Sequence, residues 1–296
     1  MFYKINNTNN RKKELFIRIK KYIPFIVNFS LKEDLGGVIN IESDITTKLI
    51  SENSKSNAVI ITRDNGIFCG KNWFQEVFKQ LGNNVSINWQ VADGDVIEAN
   101  QILCTLYGPT RILLIGERTA LNFIQTMSGV ASQVKYYSDL LYQTNTKLLD
   151  TRKTLPGLRT ALKYAVLCGG GNNHRLDLTD AFLIKDNHII AAGSITNAVA
   201  QAKIISTSIP IEVEVKNFKE LVEALAAQVD IIMLDNFSNQ NISQAIAINK
   251  QQAALEISGN ITLNNIKEYA LMGIDYISVG ALTKNVRALD LTMYLQ

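Results

Sequence analysis

From Lys147 onward the chain repeats one pattern six times: a short apolar, β-branched run ends in polar residues, and a segment with helical spacing follows. The runs are KLLDTRK, AFLIKDN, IEVEVK, DIIMLDN, ALEISGN and DYISVGA, and between them lie TALKYAVLC, SITNAVAQAKII, NFKELVEALAAQV, NISQAIAINKQ and TLNNIKEYALMG. Buried runs alternating with amphipathic helices predict βαβ units and a parallel sheet. So regular a series restricts the fold to a closed or nearly closed α/β barrel, with a doubly wound open sheet as the alternative. No GxGxxG opens any of the helical segments, which ranks the open sheet lower.

The first half is patterned differently. NAVIITRDNGIFCG and NVSINWQVADGDVIEANQILCTLYGP alternate apolar with polar residues and carry DG and GP turn signals, which predicts antiparallel strands. RILLIGERTALNFIQTMSGVASQVKYYSDLL reads as a long helix joining the halves. The expected organisation is an α+β domain over residues 1–128 and a barrel over 129–284, with the strand-like tail 285–296 returning to the first domain.

Composition narrows the function classes. With 47% apolar and 19% charged residues the 296-residue chain can bury an ordinary core, and a formal charge of +3 is too small to argue for nucleic acid or an anionic membrane surface. The basic start of RKKELFIRIKKYIPFIVNFSLKED is broken by Pro24 and Asn28 and reads as an amphipathic surface helix, not a signal peptide. Cys69, Cys104 and Cys168 are odd in number and lack CxxC spacing, so the expectation is small core residues in a reducing cytoplasm, without disulfide or zinc.

Barrel enzymes collect their chemistry at the C-terminal ends of the strands. Read in order, those ends carry Asp150-Thr151-Arg152-Lys153, Lys185-Asp186-Asn187, Glu212 and Glu214, Asp235-Asn236, Ser258-Gly259-Asn260 and Val279-Gly280-Ala281. The cations Arg152, Lys153, Arg175 and Lys185 suit carboxylates or phosphates. The carboxylates Glu214 and Asp235 suit Mg²⁺ held largely by a substrate's phosphates. The last two ends offer small residues and backbone donors, as phosphate sites in barrels do.

DTRKTLPGLRTALKYAVLCGGGNNHR, LIKDNHI, IEVEVKN, IMLDNFS, LEISGNIT and YISVGALTKNVRALDL resemble signature blocks of the quinolinate phosphoribosyltransferase family, as do EDLGG, SDITT and GERTALNFIQTMSGVAS further upstream. The resemblance runs in consistent order from about Glu33; the residues before it match no signature. It implies a sandwich domain, an incomplete TIM-like α/β barrel and a homodimer with shared active sites. It implies the reaction quinolinate + phosphoribosyl pyrophosphate → nicotinate mononucleotide + pyrophosphate + CO₂, with Mg²⁺, in NAD biosynthesis. By the same resemblance Arg152, His174 and Arg175 lie near quinolinate, with Arg118 reaching in from the partner. Lys153 and Lys185 serve phosphates or carboxylates and count with Glu214 and Asp235 as catalytic. Ser258, Gly259, Asn260 and Gly280 hold the 5′-phosphate, flanked by Val279 and Ala281, while Thr151 completes the binding set. Lys284 stands where the family varies between His and Lys.

Other classes remain in view at this point. A Schiff-base lyase acting on a phosphosugar would use Lys153 or Lys185 as nucleophile, but the neighbouring acids oppose the lowered pKa it needs. A non-catalytic pyridine-nucleotide or phosphate sensor would not need both Glu214 and Asp235 beside the cations. A related phosphoribosyltransferase using another pyridine is the alternative within the family. Taken singly, several residues have plainer readings. GGG without GK[ST] is a turn. His188 binds backbone near its strand end. Arg159 and Lys163 are solvated helix residues, Asp177 and Asp180 shape a loop, and either Glu212 or Glu214 pairs with a lumen lysine.

Overall fold

The computed structural model describes the backbone of residues 2–296 and the side chains of residues 10–296. In chain order the elements are α1 (Phe2–Asp34), β1 (Lys55–Thr62), β2 (Gly66–Ile67), α2 (Lys71–Gln80), β3 (Ser86–Trp89), β4 (Val96–Ile97), β5 (Ile102–Pro109) and α3 (Thr110–Leu140). There follow β6 (Lys147–Leu149), α4 (Arg159–Cys168), β7 (Phe182–Ile184), α5 (Asp186–Ala192), α6 (Ile195–Ile205), β8 (Ile211–Val215) and α7 (Phe218–Ala226). The chain then runs through β9 (Ile231–Asp235), α8 (Asn239–Asn249), β10 (Ala254–Ser258), α9 (Ile266–Leu271), β11 (Tyr276–Ser278), α10 (Ala281–Lys284) and β12 (Leu291–Leu295). Two compact units result, one of residues 13–135, 154–170 and 282–296, the other of residues 2–12, 136–153 and 171–281.

The first unit is built on an antiparallel sheet of order β12-β1-β5-β3. The strand nearest the C-terminus pairs with β1 through Ala58–Thr62 against Leu295–Leu291, so residues from both halves of the sequence complete one sheet. Trp73, Phe74 and Phe78 of α2 are buried in this unit, with Phe74 edge-on to Trp89 at 5.1 Å. Apolar burial of this kind contributes roughly 25 cal/mol per Å² removed from water.

The second unit holds the parallel sheet, of order β6-β11-β10-β9-β8-β7. Its strands are the six runs expected from the sequence. Val213, Val215, Ile232, Leu234 and Ile277 are fully buried, as strands covered on both faces require. The barrel is incomplete. Asn172 forms a parallel bridge to Leu149, which adds a stub beside β6, and among the described residues no ladder joins that stub to β7. The helices start on side-chain caps: Ser194 accepts from Asn197 N–H, Asn217 from Glu220 N–H and Ser238 from Asn241 N–H, each of a kind that contributes about 1 kcal/mol. Among the described residues no helix is long and apolar enough to cross a membrane.

Two features depart from the sequence reading. TALKYAVLC forms α4 as expected but belongs to the first unit, and α5 follows β7 directly. Lys163 is 1% exposed, where a solvated helix residue is expected; it lies in the same turn as the buried Ala161, Leu162 and Ala165, so it shares the inward face of α4.

Candidate active site

The cationic side is organised by one carboxylate. Asp150, fully buried at the end of β6, accepts from the His174 N–H at 2.9 Å and from Asn173 Nδ2 at 2.6 Å. Asn172 adds ladder bonds to Leu148 and Asp150, so the irregular stretch after the glycines is held like a strand. That fixes Arg175, 7% exposed, whose Nη1 donates to the Ala181 carbonyl at 3.0 Å. Burial and then the nearby Arg152 guanidinium lower the Arg175 pKa. Arg152 Nε is itself buried without a hydrogen-bond partner among the described residues. Two neighbouring guanidiniums, one of them buried and the other with an unpartnered Nε, are the kind of donor set that suits an anion.

The carboxylate side lies at the ends of β7, β8 and β9. Lys185 Nζ pairs with Glu214 Oε2, and Lys216 Nζ pairs with Asp186 Oδ2 at 2.8 Å while feeling both Glu214 and Asp235. The lumen-lysine partner thus falls to Glu214. A lysine paired in this way is the opposite of the isolated, desolvated amine that a Schiff base requires. Asp235 stands beside Ser258 in register and accepts from Asn236 Nδ2 at 3.0 Å.

The adjoining corner is built from strained backbone. Asn236, Gly259 and Asn260 have φ of 55°, 99° and 51°, and Asn260 Nδ2 donates to Asn236 Oδ1 at 3.2 Å. A Cβ at Gly259 would be driven into Asn236 Oδ1. At the end of the neighbouring strand β11, Gly280 lets Lys153 lie close, since a Cβ there would meet Lys153 Cδ at 3.1 Å and Thr151 Oγ1 at 3.6 Å. Val279 N–H bonds to the Leu149 carbonyl, which ties the end of β11 to β6, and Ala281 opens α10 immediately after.

Deeper in the barrel lies a cluster that the strand-end reading misses. His174 Nε2 is 3.1 Å from Glu212 Oε2 and 3.4 Å from Glu256 Oε2, and the three residues are 6%, 2% and 0% exposed. Burial opposes a charged ring, but Glu212 and Glu256 outweigh it and raise the His174 pKa to about 10. Burial, then Glu212, also raises Glu256. The Arg175 N–H donates to His174 Nδ1 at 2.8 Å, so the ring proton sits on Nε2 and any additional proton resides on the carboxylate side. The ligand-type atoms lie within 4.8 Å of one another, yet an Nε2 that carries the proton is not a metal ligand, and the cluster is a hydrogen-bonded one. It lines a cavity of about 510 Å³ at the N-terminal mouth of the barrel, bounded also by Arg11, Asp230, Ala254 and Tyr276. The signal for Glu256 is a lone carboxylate inside the apolar run ALEIS.

Thr151, Arg152, Lys153, His174, Arg175, Lys185, Glu214, Asp235, Ser258, Gly259, Asn260, Val279, Gly280 and Ala281 all fall in the barrel unit. Arg118 is exposed on α3 in the first unit. His188 accepts the Lys185 N–H through Nδ1 at 3.0 Å, and Asp180 accepts the Leu176 N–H at 2.8 Å, the structural roles expected of them.

Residues 130–294 match the family model for the quinolinate phosphoribosyl transferase C-terminal domain and residues 44–128 the model for its N-terminal domain. The chain is 38% identical over 269 residues to a probable nicotinate-nucleotide pyrophosphorylase (carboxylating) of Bacillus subtilis, covering 90% of this chain and 91% of that one. It is 34% identical to the nicotinate-nucleotide pyrophosphorylase (carboxylating) of Rattus norvegicus, over 91% and 90% of the two chains. Among solved structures, the nicotinate-nucleotide pyrophosphorylase of Francisella tularensis superposes with a TM-score of 0.89 at 46% identity, over 93% of this chain and 96% of that one.

Proposed function

This chain belongs to the quinolinate phosphoribosyltransferase family, and we propose how its barrel divides the family's reaction among its own residues. The enzyme transfers a phosphoribosyl group from phosphoribosyl pyrophosphate to the ring nitrogen of quinolinate and releases pyrophosphate, CO₂ and nicotinate mononucleotide, a step of NAD biosynthesis.

Arg152 and Arg175 receive quinolinate, joined by Arg118 of the partner subunit in a homodimer, while His174 stands behind them with Nδ1 taken by the Arg175 N–H and Nε2 facing Glu212 and Glu256. The observation that carries this reading is the crowded pair of guanidiniums, which a dianion relieves. Lys153 and Lys185 hold phosphate or carboxylate oxygens. Glu214 and Asp235 face the ribose, where carboxylates stabilise the oxocarbenium-like state as the pyrophosphate bond breaks. The corner of Ser258, Gly259, Asn260 and Gly280 takes the 5′-phosphate on backbone N–H groups. The donor set at Glu214 and Asp235 fits Mg²⁺, which leans on one or two carboxylates and on substrate phosphates; when bound it neutralises charge on the pyrophosphate leaving group.

No strong base is required. The pyridine nitrogen is already nucleophilic, and after attack its positive charge stabilises the carbanion left as the adjacent carboxylate departs. The protein's task is to orient two anions and keep them desolvated. Three free thiols, two of them buried, suit a reducing compartment, and the cytoplasm is the proposed location. Pyrophosphate and CO₂ release, measured with quinolinate and with nicotinate as acceptor, tests the assignment. Release with quinolinate alone is expected, and comparable turnover of nicotinate would overturn the two-carboxylate receptor.

A further inference from the structure

We propose that Glu212 and Glu256 are positioning residues that set the quinolinate-facing corner through His174. The inference rests on assigning the Arg152–Arg175 corner to quinolinate, and it goes beyond that assignment by naming two residues that act from below it. The linkage is continuous. The two carboxylates face His174 Nε2 at 3.1 and 3.4 Å, His174 Nδ1 accepts the Arg175 N–H at 2.8 Å, and the Arg175 guanidinium is then held by the Ala181 carbonyl beside Arg152. Turning the imidazole over would take the acceptor away from Arg175 and point a ring carbon at the carboxylates.

Packing alone does not account for these residues. Glu256 is fully buried at the centre of β10, in register between Met233 of β9 and Tyr276 of β11, where an apolar side chain would serve the core better. Neither of its carboxylate oxygens makes a hydrogen bond of good geometry among the described residues, and the polar side chains facing it include His174 and Ser278. The groups facing it are Glu212 from β8, His174 from the loop between α4 and β7, and Ser278 and Tyr276 from β11, with Arg11 of α1 further out at the cavity mouth. The cavity approaches the cluster from the end of the barrel opposite the strand-end site. Glu212 and Glu256 therefore brace the corner without occupying substrate space.

The experiment compares Glu256→Leu, Glu256→Gln and Glu212→Leu with the native enzyme in steady-state kinetics for both substrates. Arg175→Ala serves as the control for the site, and thermal midpoints are recorded throughout. Glu256→Leu fills the volume but removes the carboxylate that faces His174 Nε2 at 3.4 Å; KM for quinolinate should rise about tenfold, with KM for phosphoribosyl pyrophosphate unchanged. Glu256→Gln retains an acceptor of the same shape and should restore the quinolinate KM toward the native value. If Glu256→Leu does not fold, Glu212→Leu together with calorimetric binding of quinolinate carries the test, and native affinity there overturns the proposal. It is equally overturned if Leu and Gln behave alike, or if both KM values move in step with the loss of stability. If instead Arg175→Ala leaves quinolinate binding intact, the assignment of the corner fails, which is a different result.

Discussion

A guanidinium held beside another guanidinium is in an unfavourable place until an anion arrives. For Arg175 burial is the larger cost and the Arg152 charge adds to it, and planarity matters as much as charge because two donors reach one carboxylate together. Arg175→Lys keeps the charge and loses the fork. Losing a charge-assisted hydrogen bond costs about 1.5–3 kcal/mol, so KM for quinolinate is expected to rise tenfold or more in steady-state assays. Asp235 belongs to the sugar side. Asp235→Asn should lower turnover by about 10²-fold, as loss of one electrostatic stabiliser does, while calorimetric binding of quinolinate alone stays unchanged. Loss of quinolinate binding in a folded Asp235→Asn protein would remove Asp235 from that side. The cluster of His174, Glu212 and Glu256 gives a pH signature. Burial and the paired carboxylates make it hold a proton more tightly when folded than when unfolded, so the stability that proton contributes is complete at acid pH and is lost as pH rises into the alkaline range. Thermal midpoints of the native protein should fall from acid to alkaline pH relative to His174→Gln; parallel curves would mean that the cluster does not retain its proton.

At the scale of elements, the barrel strands are legible because each apolar run stops at a polar residue, and those stops are where the site is. Reading the stops finds Arg152, Lys185, Glu214 and Asp235. It passes over Glu256, because a carboxylate in mid-strand is recognised only by knowing that β8 and β10 flank β9 and that His174 faces them. The departure of α4 from the barrel unit is likewise invisible, since amphipathic spacing says which face is buried and not against what. The β9–β10 corner makes a prediction at this scale. Gly259 has φ of 99° and Asn236 Oδ1 in the space of its missing Cβ. Gly259→Ala should destabilise the protein by about 1–3 kcal/mol and raise KM for phosphoribosyl pyrophosphate, leaving quinolinate binding intact. Thermal melts with titration of each substrate would show it, and an unchanged sugar-side KM would detach this corner from the phosphate.

For the whole molecule, the proposed sharing of Arg118 has a direct readout. Arg118→Ala and Arg152→Ala chains, each inactive alone, should regain activity when mixed under conditions of subunit exchange, because one site of each mixed dimer is then intact. No recovery after verified exchange would leave each chain with its own complete site. The pairing of β12 with β1 has a consequence in time. Partners such as Ile60 and Met293 lie roughly 230 residues apart, so at a synthesis rate of about 5–20 residues per second β1 waits tens of seconds on the ribosome for its neighbour. Throughout that wait the barrel strands are emerging while β1 offers an open row of amide and carbonyl groups to any passing chain. The domain begun first is thus the domain finished last, with one edge of β1 left open until the final residues of the chain arrive.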